Sequence, residues 1–409
     1  MTAGRPGRVR LTGRGWGILA GAGVLAASAY VAGVHELLLA ACFAALLVVL
    51  ALGLVIVARP GVGVRRDIVP STPMARSPML VTLSLAPAGS RPAPRGLWRE
   101  LVPWDEVGGE LPAPSSRGPQ TLRYATVPPL RGAATIGPLV LRVSDPFGIA
   151  SNTRASGDAA SVTVLPFLAG LDESGLEVAS GEGITRLRDN RVTPSDDDLS
   201  TRQYRRGDPL RRVHWRASAR HGELMVRQED QHSVPEARLV LETRRTAHTP
   251  AMLPPAPDRA ESDTFEWSVS MLGSVAVHLT RLGYRLSVLE TAERQLPDPG
   301  EVELAPGSPF LAGLATVRLL DGEGGLPGTG PADATGPLVA VVGAIDVPLA
   351  RWLREVRGAA RVATVFASGP IDDAAHDLLA GPGWTLRPVE PTDDFGSAWI
   401  GAAKEPSRV

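Results

Sequence analysis

The densest set of chemistry-bearing side chains lies between Leu199 and Arg227, in the run LSTRQYRRGDPLRRVHWRASARHGELMVR. Tyr204, Gly207 and Asp208 lead into a predicted helix with both ends marked. Asp208 can cap the first free N–H groups, Pro209 suits the first helical position, and Gly222 suits a left-handed residue after the last turn. On that helix Arg212, Arg216 and Arg220 recur every fourth residue. Arg211, Trp215 and Ser218 form a second line, and Leu210, Val213 and Ala217 share an apolar face. A row of guanidinium forks beside an indole can dock a carboxylate or phosphate, through paired charge-assisted hydrogen bonds that the ring shields from water. The same arginines can instead pair internally. Asp196, Asp197, Asp198, Asp208, Glu223, Glu229 and Asp230 are close in sequence, and such a network would lock two domains together.

Nucleophilic chemistry would need Asp208, His214 and Ser218 to converge. On a continuous helix Asp208 and Ser218 are about 15 Å apart along the axis, so a hydrolase or ligand-binding enzyme built on these three is the second reading. Other catalytic sets fail on residue type. A phosphate-binding loop needs a lysine after its glycines, and Lys404 is the only lysine. There is no His-Glu-x-x-His pair and no Gly-x-Ser-x-Gly elbow around Ser218. His214, His221, His232 and His248 are too irregularly spaced for a metal set. The chain reads as having no catalytic activity and no cofactor of its own.

The elements that must position this segment fall into three parts. After a basic stretch (residues 1–15) with Arg5, Arg8, Arg10 and Arg14, Trp16 to Val34 carries no charge. At 1.5 Å per residue it would reach roughly 28 Å, close to a bilayer core. His35 and Glu36 separate it from Leu37 to Ala58, a second uncharged run of roughly 33 Å. Two membrane helices over 16–58 are predicted, with Gly17 and Gly21 as a small-residue pair for packing the hairpin or for self-association. Arg59, Arg65 and Arg66 follow and the connecting turn holds no Lys or Arg, so both ends and the soluble part are expected in the cytoplasm, at the cell membrane.

From 64 to 166 short alternating runs broken by Pro and Gly predict an all-β, sandwich-like domain, with strands at Met79–Leu85, Leu97–Trp104, Thr121–Val127, Leu139–Val143 and Val162–Leu165. Trp98 and Trp104 belong to its core or rim. The segment that holds the arginine-rich run covers 167–235. From 236 to 400, strands at Arg238–Thr243, Tyr284–Leu289, Thr316–Leu320, Leu338–Val342 and Arg361–Phe366 alternate with helices at Thr264–Leu282, Leu349–Val356 and Asp372–Leu379. Asp263 and Glu266 are placed as a capping box. Alternation of this kind predicts an α/β, doubly wound, mostly parallel sheet, with any ligand crevice at the carboxyl ends of its strands, near Glu242 to Thr246 and Gly343 to Asp346.

Composition narrows the partners. Lys+Arg number 42 and Asp+Glu 43, a formal net charge of -1, so no global field draws nucleic acid and any electrostatic site is local. Cys42 is the single cysteine, which excludes an intramolecular disulfide and fits a reducing compartment.

The run Tyr204, Gly207, Asp208, Arg211, Trp215, Ser218, Ala219 and Arg220 resembles the signature of the bacterial domain-of-unknown-function family fifty-eight. Asp145, Pro146, Phe147, Gly148 and Ile149 are similar to a second block of that family, and Arg131, Gly132, Gly137 and Pro138 to a third. The resemblance covers roughly Val64 to Arg245. It implies two membrane helices, a β-rich domain, the signature and a von Willebrand A-like domain, in a protein that works with a MoxR-type AAA+ ATPase. It implies no reaction. Von Willebrand A-like domains carry an Asp-x-Ser-x-Ser metal motif after the first strand, where this chain has Glu242, Arg244 and Thr246, with Asp346 as one further carboxylate. An arginine in place of a hydroxyl ligand sets positive charge against a divalent cation, so no bound metal is expected.

Overall fold

The computed structural model describes residues 8–57, 62–87, 96–111, 120–172, 201–204, 213, 215–227, 235–251, 260–300, 304–322, 325–329 and 336–401. They divide into two compact units. The first comprises Met1–Phe167, Ala251–Glu261 and Leu311–Thr316, and the second Leu168–Pro250, Ser262–Phe310 and Val317–Val409.

The first unit begins with a short strand, β1 (Arg8–Leu11), and two apolar helices, α1 (Gly13–Ala32) and α2 (His35–Val57). Thr12 caps α1 by accepting the Gly15 N–H, and Gly33 closes it in the left-handed region. Ala22 and Ala29 are buried on α1 and Ala41, Val48, Ala51 and Val55 on α2, the last three in a cluster with Ile149 and Ala150. Tyr30, Val31, Leu39, Phe43 and Val49 remain exposed on the outer surface, which marks helices whose apolar girth is not covered by protein. Both are long and apolar enough to cross a membrane, at 20 and 23 residues. The Gly17 and Gly21 pair does not pack the hairpin: a Cβ at either would meet nothing within 4 Å.

Nine further strands build a β-sandwich. A five-stranded antiparallel sheet runs in the order β1, β9 (Ala150–Ser156), β8 (Leu139–Ser144), β4 (Gly96–Val102) and β5 (Asp105–Glu110). Against it lie a three-stranded sheet of β2 (Val62–Val69), β3 (Met79–Pro87) and β6 (Gln120–Thr126), and the pair β7 (Gly132–Ile136) and β10 (Ala160–Val164). The alternate residues Met79, Val81, Leu83, Leu85, Leu122, Tyr124, Leu139 and Leu141 meet in one core with Trp98. Trp104 packs at its edge and donates to Thr126 Oγ1 at 3.0 Å. All five predicted strands are present. The half-polar strands β2, β5, β7 and β9 carried too few apolar alternations to stand out, and β1 lies in what the sequence presents as a basic tail.

In the second unit β13 (Glu236–Leu241), β14 (Arg285–Glu290), β15 (Leu338–Val342), β16 (Ala363–Ala367) and β17 (Trp384–Pro388) form an all-parallel sheet in the order β14-β13-β15-β16-β17. Val240, Ala340, Val342, Val365 and Ala367 pack on one face against the helices Val347–Arg357 and Asp373–Leu379. On the opposite face Phe366 meets Trp267 of the helix Asp263–Arg281, with ring centroids 6.3 Å apart, and Trp399 of the helix Phe395–Ile400 at 6.4 Å. The sheet is therefore wound on both sides, as its alternating pattern predicts. Two local expectations are corrected. Ser262, not Asp263, caps the long helix by accepting the Phe265 N–H, because it stands one residue outside the first helical turn. The strand expected at Thr316–Leu320 is not formed; Thr316 ends a helix (Pro309–Thr316), and only Leu320 makes a bridge, to Arg244.

Candidate functional site

In the parallel sheet β13 and β15 are neighbours although β14 intervenes in the chain, so the winding direction reverses between them. Such a reversal opens a crevice at the carboxyl ends of the two strands. Glu242 and Arg244 leave β13 there, Gly343 and Asp346 leave β15, and Thr291 follows β14. Glu242 is fully buried. Its Oε1 accepts from Arg244 Nε at 2.9 Å and from the Arg244 backbone N–H at 3.0 Å, and also from the Thr291 hydroxyl. Its Oε2 accepts from Arg244 Nη2 at 3.0 Å. Arg244 Nη1 lies 3.8 Å from Asp346 Oδ2, while Asp346 Oδ1 caps the next helix through the Leu349 N–H at 2.8 Å.

A guanidinium thus lies between the two carboxylates that a divalent cation would need. Burial by itself would lower the Arg244 pKa; the hydrogen bond and charge of Glu242, helped by Asp346, outweigh it and hold the group above its ordinary value. Thr246 is exposed, and no cluster of three His, Cys, Asp or Glu side chains suited to a metal occurs among the described residues. These residues do not fit Mg²⁺, which requires a cage of oxygens. They do not form an acid–base pair either, since both oxygens of Glu242 are already committed. His248 is buried and also committed, with Nδ1 3.1 Å from Thr264 Oγ1 and Nε2 3.2 Å from the Glu242 carbonyl. Burial pushes its pKa down, partly offset by that carbonyl contact. The roles of Thr291 and His248 were not read from the sequence. The placement of Thr291 just past the end of a predicted strand was the available signal.

The signature segment folds differently from its prediction. Strands β11 (Thr201–Gln203) and β12 (Met225–Arg227) pair antiparallel, extended by the Tyr204 N–H donating to the Leu224 carbonyl at 2.8 Å. The helix spans only Trp215–His221 and stops at Gly222, in the left-handed region as expected. Val213 is not helical: it bridges Val226 and is buried with it, so it does not belong to a helical face. The physical reason is a pairing partner outside the local window, Val226, thirteen residues on. Gly207, Asp208, Leu210, Arg211, Arg212 and His214 lie outside the described residues.

Within the helix Trp215 is 70% exposed, and Arg216, Ala219 and Arg220 are exposed as well. Ser218 points the other way. Its Oγ accepts the Met225 N–H at 2.8 Å and ties the helix to β12, which is a structural duty. The described part of the helix offers an indole and two guanidinium groups to solvent, side chains able to meet carboxylate or phosphate oxygens. Of the other two blocks, Asp145–Ile149 forms a tight turn between β8 and β9, and Gly132 and Gly137 bracket β7. No protein-family model matches the chain, and no curated protein matches it.

Proposed function

We propose that this protein is a membrane-anchored, cytoplasm-facing interaction or scaffold protein, without catalytic activity, that works with a MoxR-type AAA+ ATPase in complex assembly or cell-envelope processes. The observation that carries the anchored topology is one ladder. β1, which precedes both apolar helices, pairs with β9, which follows them, in the register Arg8↔Thr153 to Leu11↔Ala150. Two strands that share hydrogen bonds lie on one side of any bilayer, so the chain between them crosses an even number of times, as a hairpin of two spans does. Arg8, Arg10, Arg14, Arg65 and Arg66 all belong to that side and the inter-helix turn has no Lys or Arg, which favours the cytoplasm.

The interaction role rests on the exposed Trp215, Arg216 and Arg220, together with the resemblance of the signature to the MoxR-associated family. The α/β domain with its filled crevice is, on this reading, a von Willebrand A-like domain that has replaced its metal with Arg244. The hydrolase reading has little support, because Ser218 is held by the backbone of β12.

Full-length protein in nanodiscs, offered a candidate MoxR-type ATPase, should retain it, and the double variant Arg216→Glu with Arg220→Glu should not. Equal retention by the folded double variant would remove this face from the account. A reporter fused after Val409 should respond only to cytoplasmic conditions; exposure outside the cell would overturn the orientation.

A further inference from the structure

The turn Asp145–Ile149 takes no part in the docking face, yet it is folded tightly around the base of the helical hairpin. Asp145 Oδ1 accepts the Phe147 N–H at 2.8 Å and Oδ2 the Ala150 N–H. The Asp145 carbonyl accepts the Gly148 N–H at 3.0 Å, and its N–H donates to the Ala150 carbonyl at 3.2 Å. Thr12, the cap of α1, donates its hydroxyl to the Gly148 carbonyl at 2.6 Å and its N–H to the Ile149 carbonyl at 2.9 Å. A turn whose backbone groups are satisfied in this way can lie in a poorly hydrated layer without the penalty of bare N–H and C=O groups.

Its two sides differ. Inward, Ile149 and Ala150 are fully buried in a cluster with Val48, Ala51 and Val55 of α2, with Leu11 and Ile18 packed against it. Gly15 of α1 approaches so closely that a Cβ would fall 2.3 Å from the Ile149 carbonyl. Outward, Phe147 is 59% exposed. It sits at the level where α1 begins, and Trp16 on the first turn of that helix is 62% exposed. The Arg14 guanidinium is close by, 3.7 Å from where a Gly148 Cβ would be. Exposed aromatic rings beside an arginine at the end of an apolar helix are the composition of a membrane–water boundary.

We propose that this turn is a membrane wedge: Phe147 seats in the headgroup–acyl boundary of the leaflet that α1 and α2 enter, and so fixes the β-sandwich against the lipid surface. The occupant is lipid because the turn is continuous with the two apolar helices through Ile149 and Thr12. The wedge rests on the reading that those helices span, and Cys42 allows the two to be tested apart. It is the only cysteine, is exposed on α2, and lies about 10 Å along the axis from His35.

Full-length protein should be labelled with bimane either at Cys42 or, in a Cys42→Ala background, at Phe147→Cys, and reconstituted in phosphatidylcholine–phosphatidylglycerol vesicles. Phe147 is mostly exposed, so the substitution removes little packing. The expected result is loss of emission at Cys42 with a deep lipid-borne nitroxide, and loss at position 147 with a shallow one, while aqueous iodide quenches neither. Iodide quenching at 147 with Cys42 still lipid-quenched overturns the wedge and leaves the spanning reading standing. Quenching at 147 by neither agent means that protein covers the ring, and overturns the wedge as well. A Cys42 label untouched by lipid nitroxide overturns the spanning reading and the wedge with it.

Discussion

Arginine is put to opposite uses in the sheet crevice and on the signature helix. Arg244 is mostly covered and bidentate on the buried Glu242, with Asp346 beyond it, whereas Arg216 and Arg220 stand in solvent beside an exposed Trp215. The lesson is that a guanidinium already committed to a buried carboxylate stabilises a fold, and one left in water is free to meet a partner. Charge alone does not separate the two. Burial of the counter-ion does.

The largest expected effect tests the first half of that contrast. Arg244→Ala would leave the buried Glu242 side chain without its partner, at a cost of about 3 to 5 kcal/mol of stability, read as an early urea midpoint. The paired variant Glu242→Gln with Arg244→Met should recover most of the loss, because it removes the orphaned charge as well. Full stability in Arg244→Ala would mean that the ion pair does not hold the crevice together.

Next in size is Ser218→Ala, which leaves the Met225 N–H without its acceptor and should cost about 1 to 2 kcal/mol, read as faster amide exchange in β12. A loss of partner binding without any change in exchange would shift Ser218 from a structural to a contact role. Acidification should weaken the crevice through His248. Its folded pKa lies below the ordinary 6.5, so the unfolded chain takes up the proton first. The stabilising contribution is complete above pH 6.5 and falls away as pH drops toward the folded value. Glu290 acts in the other sense: burial raises it above its ordinary 4.5, so its contribution is present in acid and lost as pH rises through the folded value. A His248→Gln variant should therefore lack the decline expected below pH 6.5 in denaturation midpoints.

The smallest stability effect is expected on the signature helix. Arg216→Glu with Arg220→Glu should change stability by no more than about 0.5 kcal/mol while abolishing retention of the partner. A large stability loss would place these arginines in the same class as Arg244 and end the contrast.

Much of the fold was legible because it depends on local periodicity. The apolar runs of α1 and α2, the alternation in β3, β4, β6, β8 and β10, and the βα repeat of the second unit each follow from side-chain spacing within one segment. The misses share a different cause. β1 is a strand because β9 offers it a ladder, from Arg8↔Thr153 to Leu11↔Ala150, and Val213 leaves the helix to bridge Val226; neither partner is visible in a local window. Ser262 caps its helix by standing one residue before the carboxylate that pattern-matching selects.

The candidate site divides in the same way. That an arginine follows Glu242 two residues on is a fact of residue order. That Glu242 Oε1 and His248 Nδ1 are also engaged by Thr291 and Thr264 could not be read there, since those two residues come from other elements. The sequence by itself determined which segments are apolar enough to cross a membrane, which alternate as strands, and where positive charge is concentrated, because those properties reside in neighbouring residues. Only the tertiary structure decided which arginines are neutralised and which meet water, because that depends on how deeply the fold buries the counter-ion: Glu242 stands two residues from Arg244 but is buried only once the sheet has formed.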